Sequence, residues 1–373
     1  MTMLAEPDLP RATDGEIAAI NLESARRGAW ARFAVDARLH GAAEAIVYNE
    51  NLAAQFLGDL DALDRLETLA SQFARADVSF RSAFVQAEVA STVHRFAEAR
   101  DHLARAASLG APREEVDRHL LSIDQACGVD LDAVLAARRR VATASGRLED
   151  LVPLGAVLGD IERFAEADAA YRQAIYSYDD VSPFPLAWVC FQLGMLWGEL
   201  VPVPDPNLAA LWYRRALAYL PGYVKARVHL AEIYASQDKT GEAEALLLPA
   251  LSSRDPEVRW RLADVLIAEG RSEEGQMQLD AAQSGFEELL GRHLLAFADH
   301  AAEFYAGSGN DGGRALELAR ANVANRPTRR AVKQAHAIAV RAGEAAALSP
   351  TLSIQRAGAT FPDGSTLVIA HNR

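Results

Sequence analysis

Alanine and leucine recur at intervals of three and four residues along almost the whole chain of 373 residues. This spacing places apolar side chains on one face of a helix, so it predicts helices nearly throughout. Strand-like runs are scarce until the C-terminal end, where Thr351-Leu-Ser-Ile and Thr366-Leu-Val-Ile flank the turn signal Phe361-Pro-Asp-Gly. A short β-hairpin over 350–373 is the first interpretation of this segment, and a tail without regular structure is the alternative.

The apolar positions also recur as a longer unit of two helices. Two successive copies align as Leu151, Leu154, Gly155 and Leu158 followed by Ala167, Tyr171 and Ala174, and as Cys190, Leu193, Gly194 and Trp197 followed by Ala209, Tyr213 and Ala216. Small residues in the middle of the first helix let the second helix approach closely, and large residues fill the space between helix pairs. Such recurrence is typical of repeat proteins, in which each unit buries its apolar face against its neighbours.

This pattern resembles the tetratricopeptide repeat, a helix–turn–helix unit of 34 residues. The units start at Ile46, Phe80, Glu114 and Leu148 in strict register, and then near Ala187, Val224, Pro256 and Leu295. Short insertions interrupt the later units, most clearly the proline-rich loop Val201–Asn207. The first unit matches least well, because Arg65 stands where a small residue belongs. The resemblance implies an all-α fold, a right-handed α-α superhelix with about eight units over residues 46–328.

Two flanks fall outside the repeats. Residues 1–45 are interpreted as a tail followed by capping helices, with Asp14 as a helix N-cap. Residues 329–349 are interpreted as a C-terminal capping helix. A closed bundle of alanine-rich hairpins without repeats is the alternative to the whole arrangement.

Charge and composition narrow the range of functions. The formal net charge of −13 disfavours nucleic acid and anionic membrane surfaces, so we expect neither as a partner and favour a basic one. Cys127 and Cys190 lie far apart and are interpreted as small buried hydrophobes, without a disulfide or a zinc site. The sequence contains no signal peptide and no transmembrane stretch, which predicts a cytoplasmic location. Nucleotide, zinc-protease and nucleophile-elbow motifs are also missing, so we expect no cofactor and no enzymatic activity.

In the resembled family, defined positions of each first helix line a concave groove. Carried over to the C-terminal units, these positions are Trp188, Phe191, Gln192, Met195, Lys225, His229, Glu232, Trp260, Arg261, Asp264, Asp299, His300 and Glu303. In the N-terminal units they are Glu50, Asn51, Ala54, Arg81, Phe84, Glu88, Arg118, His119, Ser122 and Gln125. The aromatic residues are expected to be solvent-facing anchors, with packing between adjacent helices as the alternative. His300 and Glu303 are interpreted as part of a polar wall rather than as metal ligands.

These expectations favour a protein that binds rather than catalyses. The first hypothesis is a scaffold or adaptor whose concave face holds a protein or peptide segment with basic and apolar side chains. A non-catalytic partner subunit of a peptide-modifying enzyme and a peptide-sensing regulator are the alternatives.

Overall fold

The computed structural model describes residues 10–343, a range that is helical almost throughout and contains no strand. The helices are α1 Gly15–Val35, α2 Ala42–Leu57, α3 Asp61–Ala76, α4 Phe80–Thr92, α5 Phe96–Ser108, α6 Arg113–Cys127, α7 Leu131–Ser145, α8 Leu148–Asp160, α9 Phe164–Tyr176, α10 Pro183–Met195, α11 Pro206–Tyr219, α12 Val224–Ser236, α13 Thr240–Leu247, α14 Pro256–Ala268, α15 Ser272–Ala306, α16 Gly312–Asn325 and α17 Arg329–Arg341. A π-helical turn, Leu196–Leu200, follows α10, and a 3₁₀ turn, Leu248–Ser252, follows α13.

The helices pack in consecutive pairs, as the repeat pattern predicts. Pairs such as α4 with α5, α8 with α9 and α10 with α11 form close hairpins. The close approach comes from glycine: a Cβ atom on Gly155 would lie 2.7 Å from the ring of Tyr171, and one on Gly194 would meet the Tyr213 ring in the next pair. The close contact of a glycine with a tyrosine ring therefore recurs at equivalent positions of these two helix pairs. The prediction of an all-α, tetratricopeptide-like fold is confirmed.

The described residues fall into two compact units, one ending at Glu287 and the other beginning at Glu288. The boundary lies inside α15, which also carries a non-helical residue, His293, with φ −137° and ψ 52°. In the second unit α16 packs against α17. The β-hairpin predicted over 350–373 lies outside the described residues.

In the first unit, the N-terminal hairpin of α1 and α2 contacts helices much further along the chain. Phe56, at the end of α2, packs against Phe184, Trp188 and Tyr223, with ring centroids 5.2, 6.5 and 4.8 Å away. Backbone bonds add to this contact, because the Arg254 N–H donates to the Gly58 carbonyl over 2.9 Å. The hairpin thus covers the ends of α10 and α12, a contact that the repeat pattern does not predict.

The N-terminal hairpin is held by a buried ionic network around Glu50, whose side chain is 1% exposed. Arg26 of α1 lies 2.8 Å and Arg65 of α3 lies 2.9 Å from the Glu50 carboxylate, and the Trp30 indole donates to it over 2.8 Å. Burial would raise the pKa of Glu50, but the hydrogen bonds from Arg26, Arg65 and Trp30 outweigh it and lower the pKa. Arg65 therefore stands where the repeat pattern expects a small residue because its side chain pairs with Glu50. Glu50 points between α1 and α3, so its assignment to the groove is wrong.

Candidate functional site

The first helices of successive pairs in the first unit lie side by side and form one surface, here called the first-helix surface. Its members are α2, α4, α6, α8, α10, α12 and α14, and contacts join α2 to α4, α8 to α10 and α12 to α14. The predicted groove residues from Trp188 to Asp264 lie on the last three of these helices. Asp299, His300 and Glu303 lie in the second unit.

The predicted aromatic anchors are mostly buried. Phe191 is 5% exposed and Met195 is 9% exposed. Trp188 is half-buried: it stacks on Phe191 with ring centroids 5.9 Å apart and meets the edge of Phe56. The expectation that solvent reaches Phe191 and Met195 is wrong: both are buried, and Phe191 packs against Tyr213 and His229. Trp188 alone among these three keeps part of its ring at the surface.

Trp260 does not join this cluster. It is 4% exposed and packs edge-on against Phe286, with ring centroids 6.3 Å apart. The guanidinium of Arg261 lies over its ring, 3.5 Å from the centroid, in a cation–π contact. The expectation of a solvent-facing anchor at Trp260 is therefore wrong, and packing between adjacent helices accounts for this side chain.

A polar cluster lies where the π-helical turn meets α12 and α14. His229 Nδ1 is 2.9 Å from a carboxylate oxygen of Glu199 and 3.4 Å from one of Glu232. The ring of His229 stacks on Tyr213 with centroids 5.5 Å apart. Arg261 of α14 forms an ion pair with Glu232. Sequence reasoning missed Glu199, because the π turn that directs it toward α12 is an insertion outside the repeat period.

The carboxylates favour the protonated form of His229. Burial would lower the pKa of His229, but the hydrogen bond that its ring N–H donates to Glu199 and the charges of Glu199, Glu232 and Glu257 outweigh it and raise the pKa. The carboxylates of Glu199, Glu232 and Asp264 thus lie beside the cations His229 and Arg261 in this part of the surface, and the charge of Glu257 also acts on His229.

A small pocket opens beside this cluster, between α12 and α14. Its volume is about 200 Å³, and it is lined by Ala231, Glu232, Ala235, Arg261, Asp264 and Val265. The floor is formed by small apolar side chains and the rim by charges of both signs. Gln192 of α10 and Lys225 of α12 are partly exposed, and no hydrogen bond or ion pair engages their side chains within residues 10–343.

In the second unit, the predicted carboxylate wall is engaged by the following helices. Asp299 forms an ion pair with Arg326 at the end of α16. Gln334 of α17 donates to the Glu303 carboxylate over 2.7 Å and to the Asp299 carbonyl over 3.0 Å. His300 lies beside Asp299 and is half-buried. These contacts tie α15 to α16 and α17, so Asp299 and Glu303 have a structural role.

The N-terminal part of the first-helix surface holds a second group of polar and aromatic residues. Arg81 of α4 pairs with Glu44 of α2 over 2.9 Å. Phe84 of α4 lies against His119 of α6, with ring centroids 5.3 Å apart. Glu88, one turn after Phe84, is half-buried, and its pKa is raised to about 6 by burial and by the charge of Glu44. Arg81, Phe84, Glu88 and His119, which the sequence predicts to line the groove, lie on α4 and α6 and are partly exposed.

No family model and no curated protein matches this sequence. Solved structures give weak matches. A chain of the APC/C hetero-tetramer Cut9–Hcn1 is 11% identical, with a TM-score of 0.48 and coverage of 87% of this chain. Human IFIT1, solved as a dimer with m7Gppp-AAAA, is 16% identical, with a TM-score of 0.37 and coverage of 85% of this chain and 74% of its own. The C-terminal part of a TPR repeat-containing protein from Cytophaga hutchinsonii is 12% identical, with a TM-score of 0.32, over 78% of this chain and 97% of its own.

The chain spans 54% of the Cut9–Hcn1 chain that it matches. Identities and TM-scores of this size transfer no function, so the fold assignment rests on the helix pairs themselves. Within the described range, no helix has the length and apolar character required to cross a membrane.

Proposed function

We propose that this protein is a binding scaffold that holds a segment of another protein on the first-helix surface of its first unit. The observation that carries the proposal is the pocket between α12 and α14. Its volume of about 200 Å³ is below the range of about 300–1,000 Å³ that small-molecule sites occupy. It suits one side chain of a longer ligand, which the neighbouring surface would hold at further points.

The chemistry of the pocket supports a partner with apolar and basic side chains. Ala231, Ala235 and Val265 give an apolar floor, and on the rim the two carboxylates of Glu232 and Asp264 outnumber the one cation, Arg261. The formal net charge of −13 favours approach of a basic segment, because charges of opposite sign accelerate association. Action by binding rather than by catalysis is part of this proposal.

The proposal is tested with a variant that fills the pocket. Ala235→Phe places a ring in the pocket, and Ala245→Phe, at an exposed alanine of α13, makes the same change away from it. Affinity capture at low salt followed by mass spectrometry identifies partners of the wild-type protein, and circular dichroism checks that both variants fold. We expect Ala245→Phe to retain and Ala235→Phe to lose the partner. Equal capture by both variants would show that the pocket is not the binding site.

The identity of the captured partner also separates the alternatives. An enzyme that modifies peptides would point to a non-catalytic partner subunit, whereas a protein without such activity would point to an adaptor.

A further inference from the structure

The N-terminal part of the first-helix surface contains a carboxylate whose charge is not neutralised. Glu88 lies on α4, half-buried between neighbouring first helices. Its backbone carbonyl accepts a bond from Thr92 over 3.0 Å, but its carboxylate has no hydrogen bond or ion pair within residues 10–343. Buried carboxylates are normally paired, because desolvation of an unpaired charge is costly. An unpaired one on a surface proposed to bind a partner is therefore a candidate contact.

The groups around Glu88 leave its charge uncompensated. The nearest cation on the same helix, Arg81, is already paired with Glu44 of α2, and the charge of Glu44 adds to the negative potential at Glu88. His119 of α6 does not compensate it, since burial and the nearby Arg118 lower the pKa of this histidine and favour its neutral form.

Aromatic residues lie near Glu88 on α4 and on the neighbouring helix α2. Phe84 lies one turn before Glu88 on the same helix face, and its ring is in contact with His119. Tyr48 of α2 is 59% exposed. On α2 it lies between Glu44 and Asn51, two residues that face α4: Glu44 acts on Glu88, and Asn51 Oδ1 lies 3.3 Å from Thr92 Oγ1, one turn after Glu88. Burial and the charge of Asp180 raise the pKa of Tyr48, so this side chain also borders the segment before α10. The site thus places a carboxylate near one exposed ring, Tyr48, and one partly exposed ring, Phe84.

We propose that Glu88, with Tyr48 and Phe84, forms a subsite for an organic cation, the ammonium or guanidinium group of a Lys or Arg side chain on a bound protein segment. The carboxylate supplies the opposite charge, and the ring faces attract a cation and cover its aliphatic stem. A single carboxylate with aromatic neighbours lacks the ligand set of a metal ion, so an organic cation fits the site better. The inference rests on the proposed function, since it names a side chain that the scaffold recognises.

Two peptides test the subsite directly, acetyl-Leu-Ala-Lys-Ala-Leu-amide and its counterpart with norleucine in place of lysine. They differ in the cation and share the aliphatic stem. Binding is measured at pH 7.5 by NMR titration with wild-type protein, Glu88→Gln, and the control Glu273→Gln, which makes the same charge change at an exposed site on α15. We expect wild type and the control to prefer the lysine peptide by about fivefold, the scale of a partly desolvated charge pair, and Glu88→Gln to lose this preference.

Equal binding of the two peptides to wild type, binding of neither at millimolar concentration, or a lysine preference that persists in Glu88→Gln would each overturn the subsite. None of these results affects the comparison of Ala235→Phe with Ala245→Phe, so failure of the subsite and failure of the proposed scaffold function remain distinguishable.

Discussion

Replacement of Glu88 by glutamine is expected to stabilise the protein near neutral pH. Glutamine keeps the size of the side chain and removes the charge that the surrounding helices do not neutralise. Raising the pKa of Glu88 from 4.5 to about 6 corresponds to a destabilisation of about 2 kcal/mol once the carboxyl group is ionised. Because the side chain keeps part of its surface in solvent, we expect Glu88→Gln to gain about 1–2 kcal/mol at pH 7.5.

The gain in stability of Glu88→Gln over wild type must depend on pH in a defined direction. The folded protein binds the Glu88 proton more tightly than the unfolded chain, so the favourable contribution is complete below pH 4.5 and is lost as the pH rises through about 6. At pH 5 the folded state still holds most of this proton. The advantage of Glu88→Gln over wild type should therefore be less than half as large at pH 5 as at pH 7.5.

Urea or thermal midpoints of both proteins at pH 5 and pH 7.5 check this prediction. Midpoints are preferred to extrapolated free energies, because nearest-neighbour contacts in repeat proteins allow unfolding in parts. Glu273→Gln, at an exposed position of α15, is the matched control and should shift the midpoint little at either pH. A Glu88→Gln protein that is no more stable than wild type at pH 7.5, or that gains equally at pH 5, would refute the reasoning.

Three further changes test the packing and the polar clusters. Gly194→Ala should cost about 1–3 kcal/mol, measured as a lower thermal midpoint, because the new methyl group meets the buried ring of Tyr213. Arg65→Met should cost a similar amount in urea unfolding, since it removes one of the cations that pair with buried Glu50. His229→Gln should lose stability against wild type at pH 6 and lose less at pH 9, because the raised pKa makes the contribution of the protonated ring fade as pH increases.

The helix pairs could be predicted from the sequence because their contacts are local. Gly155 and Tyr171 lie within one unit, and the same relation between Gly194 and Tyr213 survives the insertion that separates α10 from α11. A π turn at the end of α10 accommodates part of that insertion. The contact of Phe56 with α10 and α12 joins helices that are distant in sequence. A repeat period describes contacts between neighbouring helices. It does not determine which distant helices come together, so the contact of Phe56 with α10 and α12 could not be predicted.

Dependence on contacts with other helices also explains why the solvent accessibility of the candidate site residues was predicted wrongly. A repeat position predicts which face of a helix a side chain occupies, but neighbouring helices decide whether solvent reaches it. Phe191 is covered by residues of α11 and α12, and Trp260 packs on Phe286 of α15. The sequence predicts the helices of Phe191 and Trp260 correctly, but the prediction that solvent reaches their side chains was wrong. Nor does the sequence reveal that the Glu88 carboxylate lacks an ion pair within residues 10–343, because Arg81, the cation on the same helix, is paired with a carboxylate of the preceding unit.

The distribution of buried and unpaired groups on the first-helix surface bears on how a partner would be held. The large apolar side chains are mostly used internally, Phe191 against Tyr213 and Tyr223, and Trp188 against Phe56. What stays open to a ligand is mainly polar: the charged rim of the α12–α14 pocket and the carboxylate of Glu88. Contacts of this kind favour rapid, salt-sensitive association over burial of a large hydrophobic anchor. A cation bound at Glu88 would also displace its proton below pH 6, which couples recognition at this subsite to pH.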